Sequence, residues 1–135
     1  MTKAVINPPE LFPSLQYGFS QIVTSSGGKT VYLSGQVAWD ANQQIIGAGD
    51  LGIQTREALK NVATAVQIAG GRITDVVSMR IYIVEAVLAE DHHVGAARRE
   101  FFPPAHAPAT TWIGVRALAN PDFLVEIEAI AVIEV

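Results

Sequence analysis

No cysteine occurs among the 135 residues. That excludes a disulfide scaffold, a thiolate metal site and a cysteine nucleophile together. Charge is scarce as well: 16% of the residues are charged, against 50% hydrophobic. Disordered chains show the opposite balance, so most of this chain is expected to fold. A formal net charge of -4 and a pI near 5.2 offer no field to attract phosphate backbones, which argues against a nucleic-acid partner. Long apolar runs are missing too. The longest, Ile127 to Val135, is interrupted by Glu128 and Glu134, whereas a spanning helix needs about 20 apolar residues. Met1 to Pro9 carries no hydrophobic signal region. The expectation is a cytoplasmic protein without a membrane partner.

What is present suits one domain over residues 1–135, long enough to build a core without staples. Repeats, low-complexity tracts and linkers are absent. Asn7 to Leu15, with three prolines, reads as an extended arm. Tyr17–Thr24 and Thr30–Val37 read as the two strands of a hairpin around Ser25-Ser26-Gly27-Gly28-Lys29. Asp50 opens a helix by capping its first amides. Leu51, Ala58, Leu59, Val62, Val66 and Ala69 recur at helical spacing until Gly70-Gly71 stops it. In Asp75–Val84 the residues Val77, Met79, Ile81 and Ile83 alternate with Ser78, Arg80 and Tyr82, the pattern of a half-buried strand. A second helix is expected from Val87 to Phe102, with Leu88, Val94, Ala97 and Phe101 buried, ended by Pro103-Pro104. Thr110–Val115 and Leu124–Val135 complete a β-β-α-β-α-β-β order. Such an order is packed most economically as an α+β fold: one mixed sheet with both helices on one face. The other sheet face is then left for a second subunit, since its side chains are not polar enough for water.

Few residues promise chemistry. Glu126 and Glu128 stand two apart on a strand and project from one face, which continues into Ile130 and Val132. A desolvated pair of like charges raises one pKa and makes a general acid or base; the plainer alternative is a wet rim that keeps the protein soluble. Ser34-Gly35-Gln36 closes a strand, where a glycine either lets a ligand approach the backbone or marks a β-bulge. No histidine lies within sequence reach of Ser34, so a serine triad has no support. His92 and His93 read as a solvated helix face and His106 as a loop residue, and no pair has metal-site spacing. Gly47-Ala48-Gly49-Asp50 lacks the lysine and length of a P-loop, and its aspartate would repel an anion. Thr110 and Thr111 are strand hydroxyls, of which one must face a polar place or a partner. Trp112 reads as core or interface, and Arg98 and Arg99 as a solvated helix edge.

Over nearly its whole length the chain resembles the RidA (YjgF/YER057c) family. The resemblance rests on the order of several pieces: Tyr17-Gly18-Phe19-Ser20-Gln21, Val31 to Gln36, Gly47 to Asp50 with Gln54 to Asn61, Ala69-Gly70-Gly71, Asp75-Val76-Val77, Phe101-Phe102, Pro108-Ala109-Thr110-Thr111 and Leu124 to Val132. It implies a chorismate-mutase-like α+β fold, a homotrimer with pockets between subunits, and cofactor-independent hydrolysis of reactive enamines and imines to a keto acid and ammonia. Some relatives carry an older endoribonuclease label. Residue by residue, the resemblance implies that Glu126 is the pocket acid and that the Ser34-Gly35 edge is kept. It also implies that Thr110 stands where deaminating members have a carboxylate-clamping arginine, Phe19 where they have a tyrosine, and Gly95 where they have an asparagine. Arg116 lies further along the strand. On that basis the pocket keeps an acid and loses its anion clamp, and a neutral or cationic small-molecule metabolite or a different reaction is expected. Two readings follow: a hydrolase of imine-like or related C–N compounds, with Glu126 activating water and Thr110, Thr111, Phe19, Ser34, Gly35 and Gly95 lining the substrate site, or a non-catalytic, regulatory trimer that binds a metabolite. Endoribonuclease activity ranks a distant third. No metal and no cofactor is called for.

Overall fold

The computed structural model describes residues 1–135. In chain order its elements are β1 (Thr2–Ile6), β2 (Ile22–Ser26), β3 (Lys29–Gln36), α1 (Leu51–Ile68), β4 (Val76–Val84), α2 (His92–Phe101), β5 (Ala109–Val115) and β6 (Val125–Ile133). Gly27 and Gly28, at φ of 71° and 77°, turn the chain between β2 and β3. The expected hairpin does not form there. Instead β2 pairs antiparallel with β1, and the glycine turn carries the chain from that two-stranded ribbon into a four-stranded sheet of order β3-β6-β4-β5. Tyr17, expected to begin the strand, ends a short 3-10 turn over Ser14–Tyr17.

The main sheet is mixed: β3-β6-β4 is antiparallel, and β4 and β5 are parallel, joined across α2. Alternation sorts its side chains as expected in β6, where Val125, Ile127, Ala129, Ala131 and Ile133 are buried under the helices. In β4 a bulge between Val76 and Ser78 shifts the phase, so Val76 rather than Val77 enters the core with Met79, Ile81 and Ile83. From α1 come Leu51, Ala58, Leu59, Val62 and Val66, and from α2 come Val94 and Ala97, into the same cluster. Both helices therefore share one sheet face.

Asp50 caps α1 by accepting from the Ile53 amide at 2.9 Å. At the other end Gly70, at φ 107°, reverses the chain. The second helix is shorter than its sequence pattern: Glu85–Glu90 is a 3-10 turn, Leu88 is exposed, and the regular helix starts at His92. On the opposite sheet face stand Arg80, Tyr82, Glu126 and Glu128, with Tyr32 76% exposed and Ile130 36% exposed. No helix of the chain is long and apolar enough to cross a membrane.

Candidate functional site

Glu126 is set by β6, which places it opposite Tyr82 of β4 on the sheet face without helices. The pairing of β3 with β6 slips between Leu33 and Gln36, leaving Ser34 and Gly35 in a bulge. The bulge reading of Ser34-Gly35-Gln36 therefore holds, and the Glu126 carboxylate lies against the glycine. A Cβ built on Gly35 would fall 1.9 Å from Glu126 Oε2, so a larger residue here would displace the carboxylate from its present position. Gly35, Tyr82, Leu118, Glu126 and Glu128 line one open cleft. Ser34 is exposed, and its Oγ and carbonyl both accept from Gln36 Nε2, at 3.5 and 3.1 Å.

Two side-chain amides, Asn61 half-buried and Gln54 buried, hold this corner together. Asn61 Nδ2 donates to the carbonyls of Val37 and Trp39, at 2.9 and 3.0 Å, which fixes the chain leaving the bulge. Gln54, fully buried, donates to the carbonyls of Gly47 and Asp122 and accepts from the Leu124 amide at 2.9 Å. It thereby ties the start of α1 to the start of β6, one residue before Val125. Trp39 packs edge-on against Phe123 at 4.7 Å between ring centres.

The two carboxylates differ. Glu128 accepts a hydrogen bond from Tyr82 Oη and lies opposite Arg80. That bond to a carboxylate, with partial burial, raises the Tyr82 phenol above its ordinary pKa. Glu126 has no salt-bridge partner in the chain. Glu128 is thus an occupied acceptor, and Glu126 is the one available to a ligand or a water.

Phe19, Thr110 and Gly95 lie elsewhere. Register pairs Thr110 with Met79 and Trp112 with Ile81, so both point to the helix side of the sheet, whereas Thr111 pairs with Arg80 and points to the other. Thr110 Oγ1 donates to the Pro108 carbonyl at 3.0 Å. With Phe19, Ser20, Ala109 and Thr111 it lines a second cleft at the N-terminal ends of β4 and β5. Gly95 is buried on α2, where a Cβ would come 3.7 Å from Trp112 Cη2 and from the Tyr17 carbonyl. A single chain therefore does not unite the expected site residues. Glu126, Ser34 and Gly35 form one group; Phe19, Thr110 and Gly95 form another across the sheet.

Sequence reasoning missed Arg98. It is not on a solvated edge; it is 0% exposed. Its guanidinium carbon lies 4.4 Å from the Trp112 ring centre and 5.3 Å from that of Phe19, and Nη2 donates to the Tyr17 carbonyl. No carboxylate pairs with it. Burial, with neighbouring Arg99 adding to it, pushes the group down to about 9, which leaves it charged at neutral pH. The signal was its position: Arg98 stands four residues after Val94 and beside Ala97, inside the apolar stripe of α2. His92, His93 and Arg99 are exposed, as expected.

The four-stranded mixed sheet with two helices on one face, with an acid at a sheet bulge, defines a class of small α+β proteins with an open, acid-bearing cleft. The chain matches the family described as Endoribonuclease L-PSP over residues 12–133 and belongs to it, within the RidA (YjgF/YER057c) group. It is 32% identical over 132 residues to a 2-iminobutanoate/2-iminopropanoate deaminase of Dermatophagoides farinae, covering 98% of each chain. It is 29% identical to the 3-aminoacrylate deaminase RutC of Acinetobacter baylyi, covering 97% of this chain and 98% of that one. Among solved structures, a Rid-family protein of unknown function from Yersinia pestis, YyfB, superposes with a TM-score of 0.92. It is 40% identical and covers 98% of this chain and 100% of its own. The names of the two deaminases support deamination as the general activity of this kind of chain.

Proposed function

We propose that the protein is a cofactor-independent hydrolase of small imines, enamines or related C–N compounds, with Glu126 as general base in a cleft completed by a neighbouring copy in a homotrimer. One observation carries this reading: a carboxylate without a counter-charge, laid where a Cβ at position 35 would displace it. Such an acid can hold a water beside a ligand whose polar edge meets the bulge backbone. The water oxygen bonds to the imine carbon, the C=N electron pair moves to nitrogen, and Glu126 passes the water's proton to that nitrogen. The carbinolamine then collapses: its hydroxyl proton passes by way of the Glu126 carboxylate to nitrogen, the C–N bond breaks, C=O forms, and ammonia leaves. An enamine enters the same route after a proton shifts to its carbon.

A homotrimer would unite the expected site residues. Glu126 and Thr110 project from opposite faces of one sheet, and they would meet where one copy's Glu126 face adjoins another's Thr110 edge. The names of the two deaminases, 2-iminopropanoate among their substrates, are consistent with this chemistry. Keto-acid release from an amino-acid oxidase reaction tests it. Wild type should accelerate release, and Glu126→Gln should lose about 100-fold or more, whereas Glu128→Gln should lose less. Light scattering should give three times the 14.4 kDa chain mass. A trimer that binds a metabolite but leaves imine hydrolysis unaccelerated would favour the non-catalytic reading.

A further inference from the structure

All four buried side-chain polar atoms that lack a hydrogen-bond partner belong to three residues: Arg98 Nε and Nη1, Trp112 Nε1 and Ser20 Oγ. Three of the four are obligate donors, and the fourth can donate. They lie in one region. Arg98 stacks on Trp112 and on Phe19, and Ser20 follows Phe19, bridging to Ala109 at the start of β5. Buried donors are normally satisfied, and a buried charge is normally paired. Here a full positive charge lies against the Trp112 ring, Ser20 stands one residue beyond the Phe19 ring that covers it, and no acceptor of the chain answers these donors beyond the Tyr17 carbonyl. Two of the three Arg98 guanidinium nitrogens are free, and the second N–H of Nη2 completes a fork with one of them, the arrangement that matches a carboxylate.

We propose that Arg98 is the anchor for a small carboxylate ligand, with Trp112 Nε1–H and Ser20 Oγ–H as supporting donors. The anion clamp that the strand position Thr110 cannot supply comes instead from helix α2, behind Phe19. Phe19 is the wall between the two: its ring stacks on Arg98 and also lines the cleft that holds Thr110. A rotation of this half-buried side chain joins the cleft to the guanidinium. The ligand class is then a short monocarboxylate with its reactive carbon next to the carboxyl group, not the neutral or cationic compound that position 110 alone implies. As a statement about substrate this rests on the hydrolase reading; as a statement about binding it does not.

Pyruvate, the keto acid that 2-iminopropanoate would yield, is a suitable probe, with neutral pyruvamide as its isostere. Calorimetry on the intact wild-type protein should show pyruvate bound at least tenfold more tightly than pyruvamide. Arg98→Met keeps the apolar stem and should lose at least tenfold for pyruvate with pyruvamide unchanged. Trp112→Phe keeps the stacked ring but not the donor, and should lose about three- to tenfold; it decides the matter if Arg98→Met does not fold. Equal affinity for the two probes, no pyruvate binding by wild type, or unchanged pyruvate binding by both variants overturns the proposal. A wild type that ignores pyruvate while Arg98→Met falls to monomer mass assigns the charge to a carboxylate of a neighbouring copy and also overturns it. Arg98-dependent pyruvate binding without imine hydrolysis leaves the anchor standing and removes the hydrolase.

Discussion

Glu126 and Arg98 are both charged side chains without an oppositely charged partner, yet the chain keeps them under different conditions. Glu126 stands on an open sheet face, half in water, where an unpaired carboxylate is cheap to keep. Arg98 is sealed between Trp112, Phe19 and the body of α2, where an unpaired charge opposes folding. An exposed charge needs no explanation beyond solubility. A buried one without a counter-ion does, because replacing it with an apolar side chain of similar volume is often neutral or stabilising. The open site is positioned by packing around a glycine. The sealed site is maintained against its own desolvation.

The largest expected effect tests how tightly the open site is built. Gly35→Ala places a methyl group where Glu126 Oε2 now lies. The carboxylate must vacate, and turnover in the oxidase-coupled assay should fall about 100-fold, since an ångström of misplacement is worth that much. Turnover within threefold of wild type would show that Glu126 is not fixed by this contact and would put the two regions on equal footing.

Next comes the sealed site. If Arg98 is retained for a ligand, apo Arg98→Met should melt at the wild-type temperature or roughly 0–8 °C above it, because an uncompensated buried charge is gone. If Arg98 serves as a latch for the Ser14–Tyr17 turn through its bond to the Tyr17 carbonyl, the same variant should melt lower. Calorimetry without ligand separates these outcomes. Adding pyruvate should then raise the wild-type melting point and leave that of the variant where it was.

The difference between the two regions also marks what the sequence could disclose. The face of Glu126 was legible because β6 obeys a strict two-residue period, while its neighbours on β3 and β4 were not, because strand pairing sets them. The cap at Asp50 and the stop at Gly70-Gly71 were legible because each is a local hydrogen-bonding problem with a short list of solutions. Arg98 was hidden because charge suggested solvent, while its place four residues after Val94 suggested core, and tertiary packing decided for the period. The β1-β2 ribbon was hidden for another reason: its pairing joins residues some 20 apart across a proline-rich arm, and nothing local in Thr2–Ile6 announces it. The slip at Val76/Ser78 depends on cross-strand register, which one strand's sequence does not contain.

A smaller effect, in pH, distinguishes the two carboxylates. The Tyr82 phenol is raised by its bond to Glu128. In the interval above the ordinary tyrosine value near 10, the folded state holds that proton while the unfolded state releases it. Stability from this bond is therefore complete below pH 10 and declines as pH rises past it. Tyr82→Phe should flatten the alkaline limb of the stability curve without altering the acid limb. An unchanged alkaline limb would show that Glu128 is as free as Glu126.

The smallest effect concerns Gly95, which the family resemblance assigns to the substrate site and which the fold buries against Trp112. A glycine inside a helix is less favourable than alanine by about 1 kcal/mol, and its backbone here has no positive φ. A Cβ would meet Arg99 Nη1 at 3.4 Å and Trp112 Cη2 at 3.7 Å, both ordinary contacts, the first with the end of a flexible side chain. Gly95→Ala should therefore gain about 0.5–1 kcal/mol in denaturant titration. Turnover and pyruvate affinity should stay within twofold, because the methyl group fills space beside the Trp112 ring edge and leaves the Arg98 donors clear. A gain in stability accompanied by a tenfold loss of pyruvate affinity would show that the ligand occupies the space at position 95. The sealed region would then extend to α2's inner face, and the carboxylate would sit deeper than the Phe19 wall.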